Sequence, residues 1–293
     1  LRAGWDLAGE TANGTDDIWW LADGQDYPRL YWEVEPGQQI RPLTLVNLLT
    51  GTGTPDDPYL IHTAEDLNLI GLFPVAWDKH FRLVADIDLC HYGAGEFNLI
   101  GRPGTDPGDD AEETSFTGVF DGCGHVIRNL TRTAEDDRCV GLFRRVATPN
   151  AEIRNLGLIG PCIDAESSTC VGALVGTLFG GTVRNCYVEG GSIAGGDSTG
   201  GLVGYEEYGA IRQCYSSVVV VGGEYTGGLV GDARGFLANC YTHGTVLGGA
   251  WTGGLVGSSN GTISNCYSTS LVIGEGTGGL AGGGGRTVTA SFW

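Results

Sequence analysis

Methionine is absent from all 293 residues, and lysine occurs only once, as Lys79. With 16 basic against 35 acidic residues, net −19, the chain has no basic stripe to displace counterions from phosphates. Nucleic acid is therefore not expected as a partner. No run of about 18 apolar residues occurs, so no helix inserts into a membrane. Nothing before Gly4 reads as a signal peptide, and the expectation is a chain processed or excerpted from a longer polypeptide. The nine cysteines are odd in number and contain no CxxC pair, which argues against a disulfide scaffold and a structural zinc site. The five histidines (His62, His80, His91, His125, His243) include no His-Glu pair and no i, i+4 pair, so the zinc-peptidase pattern is missing. Charged residues make up only 17%, yet seven tryptophans and 41% apolar content rule out a disordered chain.

What is abundant is glycine, 52 residues, and it is placed periodically. Gly200-Gly201-Leu202-Val203-Gly204 recurs as Gly227-Gly228-Leu229-Val230-Gly231, as Gly253-Gly254-Leu255-Val256-Gly257 and as Gly278-Gly279-Leu280-Ala281-Gly282. Between these copies stand Val183-Arg184-Asn185-Cys186-Tyr187 and its counterparts ending at Tyr215, Tyr241 and Tyr267. The four cysteines, Cys186, Cys214, Cys240 and Cys266, follow one another at 28, 26 and 26 residues. Helices would lose about 1 kcal/mol for each interior glycine. A period of about 26 residues in β-branched, glycine-punctuated sequence instead predicts a stacked solenoid. The expected fold is all-β, a parallel β-helix of about eight coils spaced about 4.8 Å apart.

Stacking turns each repeat position into a column. Asn129, Asn155, Asn185, Gln213, Asn239 and Asn265 are expected to form a buried ladder of side-chain amides at a bend. Cys186, Cys214, Cys240 and Cys266 continue a column that begins with Leu130 and Leu156, and read as small buried hydrophobes. Cys139 and Cys170 read as sharing a column with Thr199, Thr226, Thr252 and Thr277. Cys162 and Cys170, eight residues apart, are the candidate disulfide. Arg128, Arg154, Arg184 and Arg212 form an outward strip, paired with local acids such as Glu152 and Glu189 or else free to grip an anionic glycan or an acidic neighbour. Tyr187, Tyr215, Tyr241, Tyr267 and Phe292 make an aromatic column beside it.

The Gly-Gly-Leu-Val-Gly and Asn-Cys-Tyr repeats resemble the GLUG motif of bacterial surface adhesins and of the non-catalytic part of the M26 family of IgA-cleaving peptidases. The resemblance runs over residues 51–293 and implies a β-solenoid that is secreted or displayed on a bacterial cell surface, and not an enzyme. In that family's order, a segment like Ala3-Gly4-Trp5-Asp6-Leu7 follows a repeat array; here it precedes one.

This order suggests a division into an aromatic-rich segment (1–35), a linker with a capping helix (36–79) and the solenoid (80–293). Thr63 is the expected N-cap of that helix, with Leu67, Ile70 and Phe73 covering the first coil. Trp5, Trp19, Trp20, Tyr27 and Trp32 are the candidate contact with the end of a neighbouring rod, which would give head-to-tail filaments of the chain's own copies. Binding to a glycan or host surface is the alternative, and polysaccharide cleavage by clustered carboxylates a more distant one. No cofactor is required, although Asp106, Asp109 and Asp110 offer hard oxygens suited to calcium.

Overall fold

A computed structural model describes residues 19–20, 29–30, 45–102, 115–134, 138–285 and 287–293. The chain divides into two units, residues 1–44 and 45–293. Of the first, the structure describes an antiparallel pairing of Trp19–Trp20 with Arg29–Leu30.

The second unit is a parallel β-solenoid. Its first sheet has nine strands, starting with Tyr59–Ile61 and His80–Leu83 and ending with Thr262–Ser264 and Thr287–Thr289. A second sheet has 14 strands and a third has six, from Phe143–Ala147 to Ala281–Gly283. Six turns are thus closed on three sides, rather than the eight expected, because the early rungs lack a strand in the third sheet. The first sheet begins at Tyr59, ahead of the helix Ala64–Leu72. Thr63 caps that helix in a capping box with Asp66, and Leu67 and Ile70 are fully buried beneath it.

Register explains the core. In the first sheet Phe81, Phe120, Ile153, Val183, Ile211, Leu237 and Ile263 lie opposite one another in succession, all buried. In the third sheet Phe143, Val175, Val203, Val230, Val256 and Ala281 do the same. The interior changes along the axis. At the start, edge-to-face phenylalanines fill it, with Phe116–Phe143 at 5.0 Å and Phe120–Phe143 at 5.3 Å. Further on, the inward column that starts with Ile87, Ile127, Leu158 and Val188 changes to Ser216, Thr242 and Ser268.

The corners are made by single residues in the left-handed region. At the first corner these are Asn155, Asn185, Gln213, Asn239 and Asn265, with φ between 52° and 55°, and Ala290 at 47°. Asparagine tolerates this conformation better than most side chains, which is why it recurs there. The left-handed step also resets the in–out alternation, so that Val183 and Cys186 both face the core. Cys170, Ser198, Tyr225 and Trp251 turn the second corner at φ 52° to 58°. The glycine motif follows this corner because backbones nearly touch there. A Cβ on Gly200 would stand 2.1 Å from the Val203 carbonyl oxygen, and one on Gly204 would stand 2.4 Å from the Cys170 carbonyl carbon.

Candidate functional site

The arginine strip is shorter than its sequence spacing suggests. Arg154, Arg184 and Arg212 pair in register on the first sheet, but the position preceding Arg154 is occupied by Asp121. Arg128 lies instead on the second sheet, opposite Ile159 and Asp88. Asn129 goes with it and leaves the amide column; its Nδ2 donates to Asp88 Oδ1 at 2.7 Å. The reason is a longer bend through Gly122 and Gly124 that moves the Ile-Arg-Asn-Leu string onto the next face.

Arg154 and Arg184 are held by acids. Arg154 donates to Asp121 at 2.8 Å and to Glu152 at 2.5 Å, and Arg184 Nε also donates to Glu152. Burial opposes ionisation of Asp121, but hydrogen bonds from Asn155, the Cys123 amide and Arg154 outweigh it and hold the carboxyl below its usual range. Arg212 lies over the Phe236 ring at 4.5 Å. Arg128 reaches Asp86 at 3.5 Å. Glu189 accepts from the Tyr215 hydroxyl at 2.5 Å, not from an arginine.

The amide column is exposed rather than buried, because the left-handed corner points its side chains into solvent: Asn185, Gln213, Asn239 and Asn265 are all exposed and Asn155 is half-buried. Asn185 Nδ2 donates to Asn155 Oδ1 at 3.1 Å, and Asn265 Nδ2 to Asn239 Oδ1 at 3.4 Å. The thiol column lies inside. Cys186, Cys214, Cys240 and Cys266 are at most 1% exposed. Each thiol donates to the carbonyl two residues earlier, at 3.1 to 3.3 Å. Cys266 Sγ also accepts the Cys240 amide at 3.4 Å, and Ser291 Oγ accepts the Cys266 amide at 3.0 Å. A small donor–acceptor side chain at this position thus serves a backbone group that the corner leaves without a ladder partner. Burial pushes the Cys214 thiol well above its ordinary pKa, so it is an inert packing group.

Tyr187, Tyr215, Tyr241, Tyr267 and Phe292 stack face to face, with centroids 4.7 to 5.6 Å apart and ring planes within 8° of parallel. The inner ring faces are covered by one another, so the column presents edges to solvent. A sugar platform needs an open face.

Cys162 is exposed in the strand Cys162–Ala165, between Thr131 and Ser192, whereas Cys170 stands at the second corner against Cys139. The candidate pair Cys162–Cys170 is therefore separated by the fold. Val171, not Cys170, lies opposite Thr199, so the two thiols stand one position ahead of the threonine column. Asp106, Asp109 and Asp110 lie outside the described residues, as do Trp5, Tyr27 and Trp32; no group of three metal-ligating side chains occurs among the described residues.

Two features escaped the sequence reading. Glu206 is completely buried in a column otherwise made of Val146, Leu178, Ala233 and Ser259. Its carboxylate accepts amides from Gly209 at 2.6 Å, Gly235 at 2.7 Å and Arg234 at 3.1 Å, which ties one rung to the next. Burial raises its pKa to about 7 against the opposing pull of those amides. The second feature is the Cys139–Cys170 pair.

Residues 167–194 match the family model of the GLUG motif. Residues 167–194 thus carry a GLUG motif. The solenoid is similar in fold to the crystal structure of a provisionally assigned immunoglobulin A1 protease from Bacteroides ovatus, with TM-score 0.63 and 21% identity over 82% of this chain and 76% of that one. It is 34% identical to halomucin of Haloquadratum walsbyi over 179 residues, 60% of this chain and 2% of that protein. It is 38% identical over 141 residues to a provisionally named Gly-rich membrane protein of Evansella cellulosilytica, 47% of this chain and 15% of that protein. The GLUG chain thus spans only a small part of the curated relatives it matches.

Proposed function

We propose that this GLUG solenoid is a non-catalytic, surface-associated module that works by assembly, its last rung receiving another rung end to end. The observation carrying this reading is the last rung itself. Val288, Phe292 and Trp293 are between 40% and 77% exposed, and the strands Leu271–Gly278 and Thr287–Thr289 have parallel partners on one side only. Such an edge is a template for pairing. Charge agrees. Residues 210–293 contain three acidic residues (Glu224, Asp232, Glu275) and three basic ones (Arg212, Arg234, Arg286), so the whole −19 lies in residues 1–209. A contact between the neutral apolar end and an acidic start avoids repulsion between like charges. The occupant is a further repeat of the same polypeptide or the aromatic segment 1–35 of another copy. Halomucin and the Gly-rich membrane protein, both far longer than this chain, support a tandem module at the cell surface. The neutralised arginines and edge-on tyrosines favour assembly over glycan binding.

Light scattering and negative-stain imaging of residues 1–293 test this. Concentration-dependent linear oligomers are expected, and deletion of residues 1–35 should leave folded monomers. A chain that stays monomeric at all concentrations, or oligomers that survive the deletion, would overturn contact through that segment.

A further inference from the structure

Two thiols stand apart from the inert column. Val140 bridges Val171 in parallel, and the Val140 amide donates to the Cys170 carbonyl at 3.2 Å. Cys139 and Cys170 are consequently neighbours on consecutive rungs. Thr177 Oγ1 lies 3.2 Å from Cys139 Sγ, and Arg144 Nη1 holds the Cys139 carbonyl at 3.2 Å. Thr169 Oγ1 donates to the Arg138 carbonyl at 3.1 Å and so joins the two rungs beside the pair.

Neighbouring parallel strands lie about 4.8 Å apart, within the Cα separation a disulfide accepts. What prevents bridging in an in-register column is that the Cα–Cβ bonds run parallel, which keeps the Cβ atoms too far apart. Cys186, Cys214, Cys240 and Cys266 all have that repeated geometry. The Cys139–Cys170 pair does not: Cys170 is in the left-handed region at φ 52°, and Cys139 is not. Their Cβ vectors therefore differ in direction. Cys170 is also partly exposed, which gives a small reagent access, whereas the Cys186 column is sealed.

We infer that Cys139 and Cys170 are a redox-convertible cross-link between consecutive rungs, closed by a low-molecular-weight disulfide and opened by a small thiol. A disulfide RSSR exchanges at Cys170 to give Cys170–S–SR and one RSH. The Cys139 sulfur then attacks the Cys170 sulfur, the bond to SR breaks, and the departing thiolate takes up the Cys139 proton as a second RSH. Two cysteine thiols are oxidised and one external disulfide is reduced to two thiols. Interaction with the Cys170 thiol, aided by Thr177, Arg145 and Arg144, offsets burial and lowers the Cys139 pKa to about 7, which eases departure of its proton in the second exchange. The same interaction and burial raise the Cys170 thiol and make the first exchange the slower one.

The reduced chain is incubated with oxidised glutathione, the remaining thiols are alkylated under native and then unfolding conditions, and the product is digested with trypsin and a Glu-specific protease. Glu166 lies between Cys162 and Cys170, so the two are assigned separately. The expected product has a Cys139-containing peptide joined to a Cys170-containing peptide, with a mass about 2 Da below that of the two thiol peptides. Cys186, Cys214, Cys240 and Cys266 should be alkylated only after unfolding, and the oxidised chain should melt at higher temperature than the reduced one. In Cys139→Ser, glutathione should remain attached at Cys170. Cys139 and Cys170 both free, each carrying glutathione separately, or Cys170 joined to Cys162, would overturn the inference.

Discussion

Glu206 sets two large effects against each other, and replacing it with glutamine shows which prevails. The carboxylate is fully buried among apolar neighbours, which disfavours its charge, yet it accepts three backbone amides, which favour it. With a folded pKa of about 7 against the ordinary glutamate value of 4.5, burial wins. The sign follows from linkage. An acid whose folded pKa is raised stabilises the fold fully below its unfolded pKa, and that stability is lost as pH rises through the folded pKa. Glu206 should therefore remove about 3 kcal/mol between pH 4.5 and pH 8, at about 1.4 kcal/mol for each tenfold shift. Glutamine cannot ionise. Its best placement keeps the oxygen on the Arg234 and Gly235 amides and turns its NH2 toward the Gly209 amide, a donor facing a donor, which costs about 1–3 kcal/mol. Urea denaturation followed by circular dichroism at pH 5, 6, 7 and 8 should show Glu206→Gln less stable than the parent at pH 5. The gap should close or reverse by pH 8, because the parent loses stability and the variant loses none through this group. A gap that widens with pH would mean that the three amides outweigh burial, and the reasoning would be wrong.

Two further substitutions probe the corners. Asn185→Ala places a Cβ without amide compensation at φ 52° and should cost about 1 kcal/mol, whereas Asn185→Gly should stay within a few tenths; urea midpoints distinguish them. Gly204→Ala drives a Cβ to 2.4 Å from backbone that cannot move aside and should cost about 4 kcal/mol or more, while Gly95→Ala, with nothing within 4 Å of its Cβ, should be silent in a thermal melt.

The period and the inward thiols are legible in the sequence because each repeat must satisfy the same neighbours, so one constraint is written several times. The corner asparagines are legible as a column, but not as exposed: alternation predicts direction only along extended backbone, and the left-handed step breaks it. The misplacement of Arg128 and Asn129 has a related cause. Ile127-Arg128-Asn129-Leu130 is locally indistinguishable from Ile153-Arg154-Asn155-Leu156. The stretch from Asp121 to Val126 is nevertheless two residues longer than its counterpart from Arg154 to Gly157, and that length selects the sheet. Glu206 occurs once and carries no periodic signal; only its column partners Leu178 and Ala233 reveal that it points inward. Cys139 and Cys170 are 31 residues apart, outside the 26- to 28-residue spacing, so their adjacency emerges only from the pairing of Val140 with Val171.

The polar columns bear on what kind of function such a surface can support. Along the first sheet, Arg154 and Arg184 are held by Asp121 and Glu152. The asparagine amides bond from rung to rung, the tyrosine rings cover one another, and the threonines Thr199, Thr226 and Thr252 donate to the carbonyls of Gly196, Gly223 and Gly249 at 2.8 Å. A ligand that sought any of these groups would have to displace an existing partner. Repetition thus occupies the polar groups of the lateral faces with one another.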